Sequence, residues 1–373
     1  MEALVRYCLE AYPLAQWRGK EYRARHPDGE VYVMGAIVWG SEFVENFMQF
    51  NLRSMLAPGN LPALGERGSI VFSIITNPAG ELHIRRHPVF AELSRLAEVE
   101  FSHIPELLLN HLRSDYLSSH FYIFYGIVDH CSIFFAQGAD AHLFMIPVDA
   151  IVAEGSLDAM ARYGREGFGC CGGGNIVAES ESFLPALRER YGSERAIAIS
   201  SAELATLAAR HAHHYFRSQV VALENRDFGR HPRDLFWPTP TGVEIHSVFI
   251  HPLFTTAGTL RRYKRMHYAN IDYGMIPRMC ASADMVKIIE RPDEAYINNF
   301  SAASRRYPTT GRPFSQADFL SEHAYSYPIQ KRLFARGQRL PCRLSGWTPY
   351  RDAASDVREI MAALMPPAAV AAE

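Results

Sequence analysis

The sequence predicts an α/β fold built on a mostly parallel sheet, because strand-like apolar runs alternate with helical patterns through its first half. Three such runs are Glu30–Gly40, Ser69–Thr76 and Val99–Ile104. A fourth, His142–Ile151, is apolar enough to be a buried strand, and it carries a carboxylate, Asp149, near its end. This alternation implies parallel strands joined by right-handed crossovers, which is a nucleotide-binding style of architecture.

Helical segments separate these strands. Ser41 stands where an N-cap belongs, and apolar residues recur with helical spacing through Glu42–Leu56. Pro88–Leu96 also reads as a helix, and Pro105–Gln137 as one or two buried helices. Later in the chain, Ser200 and Glu203 form a capping-box pattern that predicts a helix through about Ser218. Short strands are predicted at Ala196–Ser200, Asp234–Trp237, Val243–Phe254 and Met285–Ile289.

Composition excludes several classes of protein. The 373 residues are 48% hydrophobic and 21% charged, which is typical of a globular protein with a core. A net charge of −2 argues against general nucleic-acid binding. No apolar run approaches the roughly 20 residues of a transmembrane helix, and the N-terminus does not resemble a secretory signal. Six scattered cysteines without a CxxC pair favour a reducing compartment, so a cytoplasmic protein is expected.

Candidate site residues follow the predicted strands. Trp39 and Gly40 end the first, Asn77 follows the second, and Asp149 ends the fourth with Glu154 close by. The carboxyl ends of parallel strands meet at one edge of a sheet, where ligands bind. An indole can stack on a base or sugar, an amide can donate hydrogen bonds, and a carboxylate can hold a divalent cation. The ordinary alternatives are core packing for Trp39 and a turn for Asp149.

Histidines form a second group of candidates. His211 and His214 are three residues apart on a predicted helix, a spacing that metal ligands use, although no HExxH motif accompanies them. Capping or hydrogen bonding near a helix end is the more ordinary role. His246 and His251 would point to opposite faces of a regular strand, so at most one of them is expected to face a site.

Two further stretches favour ordinary roles. The glycine-dense segment 164–174 matches neither GxGxxG nor a P-loop, and a mobile loop or a strand with close backbone approach is expected there. The basic-aromatic run Arg261–Tyr268 would suit an anionic acceptor or a membrane surface, but a solvated loop is the more common reading.

Several strings resemble a group of bacterial glycosyltransferase-like proteins of the GT-A type, over about residues 30–290. The strings are Val38-Trp39-Gly40-x-x-Phe43-Val44, the run 52–64 ending Ala57-Pro58-Gly59-Asn60-Leu61-Pro62-Ala63-Leu64, Pro147-x-Asp149 with Glu154-Gly155-Ser156, the segment His246–Pro252, and Ile271-Asp272. The sequence and this resemblance together predict four segments: a lead-in (1–29), a Rossmann-like half that binds a nucleotide-sugar (30–165), an acceptor-side half (166–300) and a C-terminal extension with a disordered tail (301–373).

The resemblance also implies roles for residues. Trp39, Gly40 and Asn77 would seat the nucleotide, His120 would contact a donor phosphate, and Asp149 would bind the diphosphate or its metal. The acceptor side would be lined by His246, His251 and Asp272, with Asp272 or His246 as the general base.

The sequence departs from the GT-A pattern at the metal site. It has Pro147-Val148-Asp149 where D-x-D is common, so Mn²⁺ or Mg²⁺ would lack one carboxylate ligand. Either Glu154 supplies a second carboxylate or cationic side chains neutralise the diphosphate.

Glycosyl transfer from a nucleotide-sugar to a saccharide or other small acceptor is therefore the leading hypothesis. A metal-dependent hydrolase that uses the histidines and Asp272 is the second. The third is a non-catalytic relative that only binds nucleotide-sugars. The sequence leaves open the sugar, the nucleotide base, the acceptor and the oligomeric state.

Overall fold

A computed structural model describes most of the chain. It covers residues 2–106, 108–109, 119–222, 224–264, 271–291, 293–342, 346–350 and 353–365, with the backbone alone at 2–5, 119–124 and 271–273.

Thirteen strands are present in the described residues. In chain order they are β1 (Glu30–Ile37), β2 (Gly68–Thr76), β3 (Glu98–His103), β4 (His142–Met145), β5 (Ala150–Val152), β6 (Cys170–Gly172), β7 (Ala178–Glu179), β8 (Asp234–Thr239), β9 (Gly242–Ser247), β10 (Phe254–Thr255), β11 (Val286–Ile288), β12 (Ile297–Ser301) and β13 (Gln338–Leu340).

Helices surround these strands. The α-helices of the described chain are Glu2–Arg25, Ser41–Asn46, Arg53–Met55, Leu61–Gly65, Pro78–Arg86, Pro88–Leu96, Ser119–Ala139, Ser156–Arg165, Ser180–Tyr191, Ser201–Arg210, His214–Ser218, Ala257–Leu260, Ile271–Met279, Gln316–His323, Pro328–Phe334 and Ala353–Leu364. A π-helical turn spans Phe47–Leu52 and a 3₁₀ turn spans Ala283–Met285. None of the helices in the described segments is long and apolar enough to cross a membrane.

Seven strands form the central sheet, in the order β11-β6-β10-β4-β1-β2-β3. Its strands are parallel except β10, which runs antiparallel to both of its neighbours. β1 lies between β2 and β4, with Ile37 opposite Ile75 and Met34 opposite Phe144. The predicted fold class, an α/β protein with a mostly parallel sheet flanked by helices, is confirmed.

Both faces of the sheet are buried, which explains the nearly continuous apolar runs of its central strands. Along β1, Val31 and Val33 pack beneath helices Glu2–Arg25 and Ser119–Ala139. Tyr32 and Met34 point to the opposite face, whose cluster is completed by Phe47, Leu52, Leu93 and Leu157. The two-residue period of the strand thus supplies both cores.

Two smaller sheets lie beside the central one. β12 pairs antiparallel with β5 and parallel with β7, while β8, β9 and β13 form an antiparallel sheet. Because β13 pairs with β9, the segment predicted to be an extension is hydrogen-bonded to the middle of the chain. The four predicted segment boundaries stay predictions.

The structure differs from the predicted elements in several places. The run His142–Ile151 is not one strand: β4 ends at Met145 and the chain re-enters a different sheet as β5. The run Val243–Phe254 is likewise divided between β9 and β10. Residues 196–200 form no strand. The predicted lead-in is largely the 24-residue helix Glu2–Arg25, whose Tyr22 is buried.

One of these differences has a clear physical cause. Asn51 is fully buried in the π-helical turn, and its Nδ2 donates to the carbonyls of Pro147 (3.0 Å) and Ala150 (2.7 Å). In a continuing strand these two carbonyl oxygens would accept hydrogen bonds from a neighbouring strand. Because the Asn51 amide bonds to them instead, the pairing of β4 ends and the chain turns. The predicted disordered tail, 366–373, lies outside the described residues.

Replacing Gly138 with alanine is expected to destabilise the protein by about 1–3 kcal/mol, because the new methyl group would overpack a helix pair. A Cβ at Gly138 would lie 2.1 Å from the Gln16 carbonyl oxygen, and one at Gly19 would lie 2.1 Å from the Phe135 oxygen. Urea unfolding measures the change. Gly258→Ala is the control, since a Cβ there meets nothing within 4 Å. Equal stability of the Gly138 and Gly258 variants would contradict this packing.

Candidate functional site

A cleft of about 720 Å³ opens at the carboxyl edge of the central sheet. Its floor includes residues that follow β1 and β4, namely Val38, Trp39 and the stretch 147–149. The volume lies within the range of small-molecule sites, roughly 300–1,000 Å³. The position is where open α/β sheets bind ligands.

Asp149 is placed in this cleft by the turn between β4 and β5. Its backbone carbonyl accepts a hydrogen bond from the Phe300 N–H (2.8 Å), and its Oδ1 lies 3.5 Å from the Asn299 Nδ2. β12 therefore holds both the backbone and the side chain of this residue. The half-buried carboxylate lines the cleft.

The pKa of the Asp149 carboxyl is raised above its usual range. Removal from water is the largest cause, because a buried carboxylate loses hydration. The charge of Arg305, the hydrogen bond from Asn299 and the charge of His251 act in the opposite direction without cancelling it. A carboxyl group with a raised pKa in a cleft is suited to proton transfer during a reaction.

The facing wall of the cleft consists of β12, the residues that follow it, and residues such as Tyr215 that line the cleft beside them. The Arg305 guanidinium lies 5.3 Å from the ring centroid of Tyr307, and Tyr307 packs 4.3 Å from Tyr215 between centroids. Ser301 is 9% exposed and lines the same cleft, and within the described residues its hydroxyl oxygen has no hydrogen-bond partner. A buried polar atom of this kind costs free energy unless a ligand or water satisfies it.

His213 explains how this wall is held, and why the histidine run resembled a ligand cluster. Its Nδ1 accepts from the Tyr215 N–H (3.0 Å) and caps helix His214–Ser218, while its Nε2 donates to the Ala302 carbonyl (3.0 Å). The predicted continuous helix is broken here, between Arg210 and His214. His213 thus has a structural role and connects the helix that carries Tyr215 to the segment after β12.

Three of the predicted site residues meet in the cleft: Trp39, Asp149 and His251. Trp39 packs 6.2 Å from Tyr125, measured between ring centroids. The Nε2 of His251 donates to the Met145 carbonyl (2.7 Å), so the histidine is fixed against the end of β4. These three residues come from separate segments that the sheet brings together.

Three other predicted residues do not line it. Gly40 precedes helix Ser41–Asn46 with φ 86°, a conformation that favours glycine. The Asn77 Oδ1 accepts from the Gly80 N–H (2.8 Å) and caps helix Pro78–Arg86. Glu154 is exposed beside Gly59, so it does not supply a second carboxylate to Asp149.

The structure places His246 in β9, where it is 3% exposed and outside the cleft lining. Its Nδ1 donates to the Phe334 carbonyl (2.7 Å), and its Nε2 lies 3.0 Å from the Glu244 Oε1. Both ring nitrogens therefore have internal partners, and the ring packs edge-on to Trp237. This arrangement gives no support to a role for His246 as a general base. The side chains of His120 and Asp272 lie outside the described residues.

The described residues do not form a ligand set for a divalent cation. No group of three or more His, Cys, Asp or Glu side chains among them lies close enough to hold a metal ion. A hard cation needs several oxygen ligands, and Asp149 stands beside a cationic arginine instead. Among the described side chains, Asp149 is thus not part of such a ligand set, and the histidine–aspartate hydrolase gains no support there.

The glycine-dense segment allows the backbone to approach closely, as expected. A Cβ at Gly172 would lie 2.3 Å from the His251 carbonyl oxygen, and one at Gly173 would lie 3.0 Å from the Gln338 Oε1. Gly173 lines the cleft. Because these glycines have no side chains, the cleft has room beside β6.

Sequence reasoning missed most of the facing wall. Its members in the cleft lining are Asn175, Tyr215, Arg230, Asn299, Ser301, Arg305 and Tyr307. Two signals pointed to it: the polar pair Asn298-Asn299 within an apolar run, and the arginines and tyrosines that follow Phe300. Neither signal specifies a partner, because the pairing of β12 with β5 joins segments about 150 residues apart.

Comparisons with known proteins give few matches. No family model matches this chain, and no curated protein matches it. Among solved structures, mouse xyloside xylosyltransferase 1 in its apo form has 11% identity and a TM-score of 0.25, with 45% of this chain and 61% of that chain covered. A mannosyltransferase from Pyrobaculum calidifontis, in complex with GDP-Man and Mn²⁺, has 12% identity and a TM-score of 0.33, with 100% of this chain and 86% of that chain covered.

Asp149→Asn is expected to raise the melting temperature near neutral pH. A pKa that is raised in the folded state means that stability is lost as pH rises through the folded-state pKa, and the amide avoids that loss. The difference between variant and wild type should shrink below pH about 4, where the unfolded carboxyl is protonated too. Thermal melts between pH 3.5 and 8 measure it.

Asp293→Asn is the matched control, because Arg291 lowers the pKa of that exposed carboxyl. Its substitution should therefore not stabilise the protein at neutral pH. A lower melting temperature for Asp149→Asn at pH 7 would contradict the inferred desolvation.

Proposed function

We propose that this chain is a glycosyltransferase that binds a nucleotide-sugar in the cleft and transfers the sugar to an acceptor. The single observation that carries the proposal is the meeting of Asp149 and Arg305 in the cleft at the carboxyl edge of the parallel strands. Together the two side chains offer a proton acceptor and a cation for a leaving anion in one cleft. The resemblance carried by the strings around Trp39 and Asp149 supplies the substrate class.

The charges of the cleft suit a diphosphate. Its lining contains three arginines, Arg230, Arg233 and Arg305, against two carboxylates, Asp129 and Asp149. Guanidinium groups match phosphate oxygens in geometry and stay charged at every physiological pH. Since the described residues do not provide a ligand set for a resident cation, we assign neutralisation of the diphosphate to arginine, with Arg305 as the first candidate.

The aromatic side chains of the cleft suit the rest of the donor. Trp39 and Tyr125 lie together at one side, and Tyr215 and Tyr307 at the other. Planar rings stack on a nucleobase or cover the apolar face of a sugar. Two aromatic patches within one cleft provide a place for each end of a nucleotide-sugar.

The chemistry is then a displacement at the anomeric carbon. An acceptor hydroxyl forms the new bond to that carbon as the bond from carbon to the diphosphate oxygen breaks, and the electron pair leaves with the diphosphate. Asp149, whose pKa is raised, takes the hydroxyl proton. Arg305 stabilises the negative charge that develops on the leaving diphosphate. Without a bound cation, an ionised Asp149 would repel the diphosphate, which favours placing this carboxylate beside the acceptor.

One nucleoside diphosphate or monophosphate is expected to raise the melting temperature of the wild-type protein in EDTA. The test set is UDP, GDP, CMP and dTDP, and saturation at 100 times Kd corresponds to about 2.7 kcal/mol of added stability. Arg305→Ala should weaken binding of that nucleotide roughly 10- to 100-fold, since it removes a charge-assisted contact. Differential scanning fluorimetry across a nucleotide titration measures both effects.

Arg291→Ala is the control, because Arg291 is an exposed arginine that pairs with Asp293 outside the cleft lining. A shift that appears only with added Mn²⁺ would overturn the assignment of neutralisation to arginine. If none of the four nucleotides shifts the melting temperature, the nucleotide-sugar proposal itself is contradicted. A shift without turnover of the corresponding nucleotide-sugar would leave a binding protein in its place.

A further inference from the structure

A second cavity adjoins the cleft and has no part in the chemistry proposed above. It has a volume of about 250 Å³ and lies between the segment 228–232 and the segment 310–322. Gly229, Arg230 and His231 line both cavities, so this short segment is a shared wall. A ligand that passes over the wall would occupy both cavities at once.

The floor of the second cavity is aromatic. Phe314 is half-buried and packs edge-on to Phe228 with centroids 5.0 Å apart. Phe319 lies behind it, 6.3 Å away, in the same cluster. The floor thus presents an apolar ring surface that is backed by buried rings and is held in one orientation.

The rim of the cavity carries side chains with planar polar groups. His231 Nδ1 lies 2.8 Å from the Glu322 Oε1, and Arg312 Nη2 donates to the Asp318 Oδ2 at 2.6 Å. All four side chains are at least 32% exposed, so these pairs contribute little to stability. The lining carries two arginines, Arg230 and Arg312, and two carboxylates, Asp318 and Glu322, so it disfavours a strongly charged ligand, while donors and acceptors remain available to one rich in hydroxyl groups.

The shared wall is rigid. The Gly229 N–H donates to the Ser218 carbonyl (2.8 Å), the Arg230 N–H donates to the Pro308 carbonyl (2.9 Å), and the His323 Nε2 donates to the Pro232 carbonyl (2.8 Å). His231 has φ 58°, a conformation that residues with a side chain rarely adopt. The surrounding hydrogen bonds keep the wall in this conformation, which places an exposed imidazole between the two cavities.

We propose that the second cavity is a saccharide-binding subsite for one sugar ring of an oligosaccharide. The apolar face of the sugar ring would lie on the Phe314 side chain. The hydroxyl groups of the sugar would form hydrogen bonds with Glu322, His231 and Arg312. This division of a binding site into an apolar surface and a few convergent polar groups suits a neutral polyol. Its role as an acceptor subsite rests on the proposed function, in which the cleft holds the reacting end of the same chain.

Binding to a printed array of neutral oligosaccharides, two to six rings long, tests the subsite directly. The wild-type protein should be retained on at least one structure. Glu322→Ala should lower the apparent affinity about 10-fold, because it removes a charged hydrogen-bonding group. Phe314→Ala should lower it further. Arg291→Ala, outside both cavities, should bind like the wild type.

The nucleotide titration is repeated on each variant to separate the two proposals. Glu322→Ala is an exposed substitution, so it should fold and should keep the nucleotide shift of the wild type. No retention of the wild type on any saccharide, or equal retention of the wild type and both variants, would overturn the subsite. A third result is that the variants lose saccharide binding while the wild-type protein binds no nucleotide. That result would keep the saccharide site but overturn its role as an acceptor subsite.

Discussion

The hydrogen bond from the Phe300 N–H to the Asp149 carbonyl joins the two halves of the cleft. One half is the carboxyl edge of the parallel sheet, where β4 ends and the chain turns under the control of Asn51. The other half is β12 and the residues after it. Pairing of β12 with β5 places Asn299 opposite Ala150, one residue beyond Asp149. Everything proposed for the cleft depends on this junction, because it brings Arg305 near the carboxylate.

Two groups at this junction lower the stability of the folded state. Asp149 is a desolvated carboxyl with a raised pKa, and Ser301 has a buried hydroxyl without a partner in the described chain. Each costs free energy in the folded state unless a ligand compensates it. The surrounding hydrogen bonds, including the one from the His213 Nε2 to the Ala302 carbonyl, hold the segment in place despite that cost. Functional sites often keep groups that lower the stability of the folded protein, because those groups serve binding or catalysis.

Local patterns were sufficient for the parallel half of the fold. β1, β2 and the helix Pro88–Leu96 agree with prediction, because their apolar runs and caps are set by neighbouring residues. The position of Asp149 and Trp39 in one cleft was predictable because strand ends of a parallel sheet share an edge. The partners of Asp149 were not found, because Asn299 and Arg305 reach it by long-range pairing that no local period encodes. Among the histidines, the capping role that the sequence favoured is observed at His213, which hydrogen-bonds to backbone groups, while the metal-ligand spacing of His211 and His214 gains no support in the described residues.

Hydrogen–deuterium exchange with bound nucleotide-sugar is the sharpest test of the proposed binding site, because it locates the ligand without assuming turnover. The protein is compared alone and with UDP-, GDP-, CMP- and dTDP-sugars. With one of them, slower exchange is expected in two separate segments, 147–150 and 297–308, because the ligand would stabilise the junction that joins them. Protection confined to segments outside the cleft, or no protection with any of the four, would show that the cleft does not bind a nucleotide-sugar.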